Sequence, residues 1–126
     1  MADLQRVLYV EDEPDIRAVA ELALEAVGGF TVKLCASGEQ ALAEAEDFSP
    51  QLILLDVMMP GMDGPETLRA LRQRPALEDV PVVFMTAKVQ PAELDGYLAL
   101  GAAGTIPKPF DPMTLADSVR TIWQSA

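Results

Sequence analysis

The sequence predicts an α/β protein with one doubly wound parallel sheet and helices on both of its faces. Short apolar runs alternate with segments of helical spacing to give five strand-helix units. Alternating units of this kind favour a mostly parallel sheet, and right-handed crossovers restrict its topology to a doubly wound one. The length of 126 residues, half of them hydrophobic, suits one domain with a substantial core. We therefore expect residues 1–126 to form one domain.

Apolar runs locate the strands. The run "QLILL" has no polar interruption after its first residue, so we expect this strand to be buried on both faces. The run "FTVKLC" alternates, which is typical of a half-covered strand. The predicted strands are Arg6–Val10, Phe30–Cys35, Gln51–Leu55, Val80–Thr86 and Gly104–Pro107.

Start and stop signals locate the helices between these strands. Proline suits the first turn of a helix, and serine followed three residues later by glutamine predicts a capping box. The predicted starts are Pro14, Ser37 (with Gln40), Gly64-Pro65, Pro91 and Asp111-Pro112, and Gly28-Gly29 ends the first helix. We expect inward faces at Leu68 and Leu71, at Leu94, Tyr97, Leu98 and Gly101, and at Leu115, Val119, Ile122 and Trp123.

Composition excludes several functions. The chain has 20 acidic and 9 basic residues, a net charge of -11, which disfavours direct nucleic-acid binding. It has no histidine, so histidine-based catalysis and histidine metal ligands are excluded. A single cysteine, Cys35, fits a reducing compartment. No apolar run approaches the ~20 residues of a membrane span, so we expect a cytoplasmic protein without membrane insertion.

Polar residues stand where four of the predicted strands end. Glu11-Asp12-Glu13 follows the first strand, Asp56 the third, Thr86 ends the fourth and Lys108 follows the fifth. Ligands of doubly wound sheets bind beyond the carboxyl ends of the strands. Each of these residues alone has an ordinary structural explanation, in a solvated turn or at a helix start. Their joint placement at one edge of the sheet favours a functional site.

The chemistry of this edge suggests phosphoryl transfer. Converging carboxylates repel one another, and a hard divalent cation, Mg²⁺ or Mn²⁺, relieves that repulsion. A main-chain carbonyl in the turn after Asp56 could supply one more oxygen ligand. Thr86 and Lys108 are suited to hold phosphoryl oxygens, and an Asp can act as a nucleophile that forms an aspartyl-phosphate. A flavodoxin-like cofactor binder is disfavoured, because "EDEPD" would repel a phosphate.

Four motifs carry a resemblance to a known family. "VLYVEDEPDIR", "LILLDVMMPGMDG", "VVFMTA" and "GTIPKPF", in this order and spacing, resemble the receiver domain of bacterial two-component response regulators, as in stand-alone chemotaxis regulators. The resemblance covers the whole chain. It implies the flavodoxin-like (βα)5 fold with strand order 2-1-3-4-5.

The resemblance also implies roles for individual residues. Asp56 would be the phospho-acceptor, and Thr86 and Lys108 would hold the phosphoryl group. Asp12 would bind Mg²⁺ directly, Glu11 through water, and Asp56 together with the Met58 carbonyl would complete the protein ligands. The Lys108-Pro109 bond is often cis in such proteins.

The implied partners are a sensor histidine kinase or histidine phosphotransfer protein as donor, and an unknown downstream protein. We expect a stand-alone regulator or a receiver excised from a longer chain. Its output face would combine the fourth helix, fifth strand and last helix, with Lys88, Tyr97 and Arg120 as candidates. The alternative is a degenerate receiver that acts only as an interaction module.

One position departs from the family pattern, and two others are variable within the family. Many receivers have an aromatic residue three positions before the lysine, where this chain has Thr105, so a switch based on that ring is in doubt. Met58 and Lys88 occupy the variable places that influence phosphoryl lifetime. Because Met58 cannot orient a water molecule as an amide or acid can, we expect a phosphoryl group that is not unusually short-lived.

Overall fold

The structure, a computed structural model, describes residues 3–87 and 90–126. Five parallel strands form one sheet in the order β2-β1-β3-β4-β5. This confirms the doubly wound sheet and the strand order implied by the resemblance. The strands are β1 (Arg6–Val10), β2 (Thr31–Cys35), β3 (Leu52–Asp56), β4 (Val82–Thr86) and β5 (Gly104–Pro107).

Helices cover both faces of the sheet. One face carries α1, its π-helical continuation and α5, and the other carries α2, α3 and α4. In the described ranges, no helix has the length and apolar character needed to cross a membrane. The helices are α1 (Pro14–Glu21), the π-helical segment Leu22–Val27, α2 (Gly38–Phe48), α3 (Gly64–Arg72), α4 (Pro91–Ala99) and α5 (Leu115–Ser125).

The central strand β3 is buried on both faces, as its apolar run predicts. Leu52 and Leu54 pack toward α1 and α5, whereas Ile53 and Leu55 pack toward α2 and α3. All five residues of β3 are buried, including its last residue, Asp56, which is 3% exposed. The strand therefore holds one carboxylate at the boundary between the core and the open edge of the sheet.

Local signals set most helix starts correctly. The Ser37 hydroxyl accepts a hydrogen bond from the main-chain N–H of Gln40 at 3.0 Å, and the side-chain oxygen of Gln40 accepts one from the main-chain N–H of Ala36 at 2.7 Å. Proline lies in the first turn of α1, α3 and α4. Gly28, at the predicted end of the first helix, lies where an added Cβ would approach the Ala116 Cβ to 2.7 Å. The glycine thus permits close packing of the end of the π-helical segment on α5.

The predicted start of the last helix is wrong. That helix begins at Leu115 rather than at Asp111-Pro112. The Asp111 carboxylate accepts a hydrogen bond from the Met113 N–H at 2.8 Å, and its carbonyl accepts one from the Thr114 N–H at 3.1 Å, a bond typical of a turn. Such local bonds to an aspartate compete with regular helix, so a turn precedes α5. Its predicted inner face is confirmed: Leu115 and Val119 are buried, and Ile122 and Trp123 pack against the core.

The predicted inward face of α4 is wrong in part. No residue of α4 is buried, Leu98 is half exposed, and Gly101 lies beyond the helix on the surface. Tyr97 packs against the core beneath α2 and α3. Apolar residues occur all around this helix, so their spacing gives little information about which side faces the sheet. Strand β4 also begins two residues later than predicted, at Val82.

Candidate functional site

The predicted site residues meet at the carboxyl edge of the sheet. Glu11 follows β1, and its N–H continues the strand pairing by donating to the Cys35 carbonyl at 3.0 Å. One carboxylate oxygen each from Glu11, Asp12 and Asp56 lies within 4.8 Å of the others. Thr86 ends β4 beside these acids and is 3% exposed. Separate strands therefore bring the three carboxylates and the hydroxyl to one edge.

Lys108 closes the site from the loop after β5. Its ammonium donates to Glu11 Oε1 at 2.7 Å and lies 3.2 Å from Asp56 Oδ1. Its main-chain N–H donates to the Thr86 carbonyl at 2.9 Å, which fixes the loop against β4. The Lys108-Pro109 bond is cis, as the resemblance implied. One ammonium thus forms ion pairs with two buried carboxylates.

The two buried carboxylates titrate differently. Burial, followed by the charge of Glu11, raises the pKa of Asp56 to about 7, although Lys108 opposes this shift. Burial acts in the same sense on Glu11, but the hydrogen bonds from Lys108 and from the Glu13 N–H outweigh it and lower the pKa of Glu11. The shorter contact of Lys108 with Glu11 explains which acid stays ionised. Burial and the neighbouring charge of Glu11 thus favour the protonated form more strongly at Asp56 than at Glu11.

Glycine keeps the turn after Asp56 tight. A Cβ on Gly64 would lie 2.6 Å from the Asp56 carbonyl oxygen and 2.8 Å from the Val57 Cα. The Gly64 N–H donates to the Val57 carbonyl at 2.9 Å. Gly61, earlier in the same turn, has φ +73°, which favours glycine. The start of α3 therefore packs directly against the end of the strand that carries Asp56.

Sequence reasoning missed two residues next to the site. The Arg17 guanidinium donates to the Glu11 carbonyl at 2.8 Å and thereby holds the loop that carries Glu11 and Asp12. A basic residue in an otherwise acidic first helix was the available signal. Tyr9 is fully buried two residues before Glu11, and its hydroxyl is the one buried side-chain polar atom without a hydrogen-bond partner in residues 3–87 and 90–126. No sequence pattern marks that hydroxyl.

The donor set fits a hard divalent cation. Three carboxylates meet, and Asp12 is the most exposed of them. Oxygen ligands of this kind suit Mg²⁺. The main-chain carbonyl of Met58, two residues past Asp56, stays a prediction, and the side chain of Met58 is 71% exposed. Lys88, named with Met58 in the expectation on phosphoryl lifetime, lies outside the described residues.

Fold and site together define a class: a parallel α/β domain that presents a buried aspartate, further acids and a lysine at one sheet edge, as a phosphoryl-accepting signalling domain does. The chain belongs to the response regulator receiver domain family, whose model matches residues 7–120. It is thus a receiver domain of the two-component type, a phospho-acceptor. In this family, receivers bind Mg²⁺ at an acidic pocket and interact with histidine kinases or phosphotransfer proteins.

Relatives and solved structures agree with this assignment. The chain is 37% identical over 116 residues to the DNA-binding response regulator MtrA of Mycolicibacterium smegmatis, covering 92% of this chain and 49% of the relative. It is 35% identical over 123 residues to the phosphate regulon transcriptional regulatory protein PhoB of Rhizobium meliloti, covering 98% and 54%. The chain therefore spans about half the length of these curated relatives. The structure of chemotaxis protein CheY4 of Vibrio cholerae matches with a TM-score of 0.87 and 32% identity, covering 95% of this chain and 99% of that one.

Proposed function

We propose that Asp56 is the residue that receives the phosphoryl group, and that Thr86 and Lys108 hold the phosphoryl oxygens. The observation that carries this proposal is the Lys108 ammonium, 2.7 Å from Glu11 and 3.2 Å from Asp56 in a largely buried pocket. A cation in this position can move from the carboxylates toward a phosphoryl oxygen without leaving the pocket. The complete set of site residues favours this function over a degenerate interaction module.

The proposed reaction is an in-line displacement. A carboxylate oxygen of Asp56 attacks the phosphorus of a phosphohistidine on the donor protein, a P–O bond forms and the P–N bond breaks. The imidazole, already protonated on its other ring nitrogen, leaves as the neutral ring with the electron pair of that bond. Lys108 neutralises negative charge on the transferred group, and the Thr86 hydroxyl donates to one of its oxygens. The chain contains no histidine, so the donor histidine lies outside these 126 residues.

The proposed cofactor is Mg²⁺, or Mn²⁺, held by Asp12 and Asp56 directly, by Glu11 through water and by the Met58 carbonyl. The cation supplies neutralisation of the phosphoryl oxygens and of the carboxylates. Arg17 keeps the acidic loop in place through the Glu11 carbonyl. Because Asp56 reacts as a carboxylate, a bound cation also favours the ionised form that the reaction needs.

The donor protein docks beside Lys108 in this proposal. A groove of about 230 Å³ is lined almost entirely by apolar atoms and shares Lys108 with the site. Val19, at its edge, is 42% exposed. The groove is lined by Asp15, Ile16, Val19, Lys108, Pro109 and Phe110. A helix of a histidine phosphotransfer protein or kinase seated there would present its phosphohistidine to Asp56. The exchange would take place in the cytoplasm, where the thiol of Cys35 stays reduced.

The output surface is proposed on α4, β5 and α5. On α4, Leu98 is 50% exposed, and Leu100, just beyond the helix, is 40% exposed. Of the three candidates named from the sequence, Lys88 lies outside the described residues. Arg120 lies over the Phe30 ring at 4.4 Å and donates to the Gly28 carbonyl, so it stabilises the fold beside α1. The downstream partner is then a protein that binds the apolar surface of α4.

Intact mass spectrometry tests the acceptor assignment. The chain is incubated with acetyl phosphate and Mg²⁺, and a gain of one phosphoryl group is expected. Asp56→Asn and a sample treated with EDTA should show no gain, whereas Asp95→Asn, an exposed acid on α4, should be labelled like the wild type. Equal labelling of Asp56→Asn would contradict the assignment, and an unlabelled wild type would favour the interaction module.

A further inference from the structure

Two aromatic rings join β4 to α4. The ring centroids of Phe84 and Tyr97 lie 5.2 Å apart, and their planes are inclined by 57°, an arrangement that aromatic pairs favour. Phe84 is fully buried, whereas α4 has no buried residue. Tyr97 is the α4 side chain that packs against the core shared with α2 and α3. Tyr97 therefore makes the aromatic contact that ties this largely exposed helix to β4.

Phe84 also contacts the acceptor side of the sheet. A Cβ on Gly64 would lie 3.2 Å from a ring carbon of Phe84 and 2.6 Å from the Asp56 carbonyl oxygen. The Phe84 ring thus lies between the start of α3, packed on the Asp56 turn, and Tyr97. Thr86 follows Phe84 by two residues, so strand alternation places it on the same face of the sheet. The Phe84 ring is thus linked to Asp56 through the packing at Gly64, and to Thr86 through their shared strand face.

Thr105, the residue next to Phe84 on strand β5, is too small to contribute a ring, and the ring that contacts Phe84 belongs to Tyr97. Thr105 pairs with Phe84 in the β4–β5 register, so the two side chains share one face of the sheet. It is a small residue at the position where the family resemblance leads to the expectation of a large ring. In this chain the ring next to Phe84 comes from α4 instead.

We infer that Tyr97, through its contact with Phe84, is the positioning residue that couples the phosphorylation state of the acceptor site to α4. This inference rests on the proposed function of Asp56. A phosphoryl group that draws Thr86 inward or shifts the turn before Gly64 changes the packing around Phe84. Tyr97 transmits that change to α4, because no buried residue of α4 holds the helix against it. The populations of two α4 positions then depend on the state of the site.

The test measures α4 and the acceptor site separately in the full chain. Amide hydrogen exchange of residues 91–99 is recorded with and without Mg²⁺ and beryllofluoride, a phosphoryl analogue, and labelling by acetyl phosphate is recorded by intact mass. Tyr97→Ala removes the ring, Tyr97→Leu removes it with less loss of apolar volume, and Tyr97→Phe keeps it. Leu98→Ala is the matched control, since Leu98 is the half-exposed neighbour of Tyr97 on the same helix.

In the wild type, Tyr97→Phe and Leu98→Ala, beryllofluoride should change exchange in α4. In Tyr97→Leu and Tyr97→Ala this change should be lost, while labelling of Asp56 continues at the wild-type level. An α4 response in both ringless variants that equals the wild-type response would overturn the coupling and leave the acceptor assignment intact. A wild type that is neither labelled nor altered by beryllofluoride would overturn the proposed function, and the coupling with it. If Tyr97→Ala does not fold, Tyr97→Leu alone decides.

Discussion

Replacing Asp56 by asparagine tests how the structure distributes charge at the acceptor site. Burial and the charge of Glu11 raise the pKa of Asp56 from 3.8 to about 7. At roughly 1.36 kcal/mol per pKa unit, ionised Asp56 lowers the free energy of unfolding by up to ~4 kcal/mol. Asparagine has nearly the same shape and no charge, but its contact with Lys108 is weaker. We therefore expect Asp56→Asn to be more stable than the wild type by about 2 to 3 kcal/mol at pH 8 without Mg²⁺.

The pH dependence of this gain has a defined sign. Because the pKa of Asp56 is higher in the folded than in the unfolded chain, folding takes up a proton between pH 4 and 7. The stabilising contribution of the protonated group is complete below about pH 4 and is lost as the pH rises through about 7. Asparagine cannot titrate, so the advantage of the variant should be largest at pH 8 and should fall by more than half at pH 5.

Urea unfolding in EDTA measures the difference in free energy of unfolding between Asp56→Asn and the wild type at pH 8 and at pH 5. Asp95→Asn serves as a control for the loss of one exposed acid and should change stability by less than about 0.5 kcal/mol. Added Mg²⁺ should stabilise the wild type and leave Asp56→Asn nearly unchanged, because the cation binds the folded acidic pocket. An Asp56→Asn protein that is no more stable at pH 8, or that keeps its full gain at pH 5, would refute the electrostatic reasoning.

Four other substitutions test packing and docking. Tyr9→Phe removes the unpartnered buried hydroxyl and should raise the free energy of unfolding by about 1 kcal/mol in thermal or urea unfolding; a loss would mean that the hydroxyl has a partner. Gly64→Ala should destabilise by about 1 to 3 kcal/mol and slow labelling by acetyl phosphate, because the new Cβ meets the Asp56 carbonyl. Gly96→Ala, whose Cβ would meet no atom within 4 Å, should instead stabilise the protein by about 0.5 to 1 kcal/mol. A Gly64→Ala protein more stable than Gly96→Ala would contradict the close packing at Gly64. Val19→Glu should slow transfer from a phosphotransfer protein and not from acetyl phosphate, whereas equal slowing with both donors would argue against docking in the groove.

Sequence reasoning located most of the fold, and the polar residues that converge at the carboxyl edge of the sheet, because the relevant signals are local. The uninterrupted apolar run before Asp56 marks a strand with two covered faces, and parallel topology brings the carboxyl ends of strands to one edge. Ser37 and the first-turn prolines identify helix starts through bonds made within a few residues. The convergence of Glu11, Asp56, Thr86 and Lys108 follows from topology, so a correct strand assignment was sufficient to predict it.

Position within the tertiary structure decided the rest. Lys108 lies 2.7 Å from Glu11 and 3.2 Å from Asp56, which are far from it in the chain, and these contacts together with burial decide which carboxylate has the raised pKa. The exposure of α4 depends on which neighbouring elements cover it, and apolar residues around the whole helix do not encode that. The Phe84–Tyr97 contact and the unpartnered Tyr9 hydroxyl are likewise products of packing. Sequence alone determined which groups reach the site, because alternation and topology are properties of the chain. Only the tertiary structure decided how their charges and contacts are shared, because burial and pairing depend on all neighbours at once.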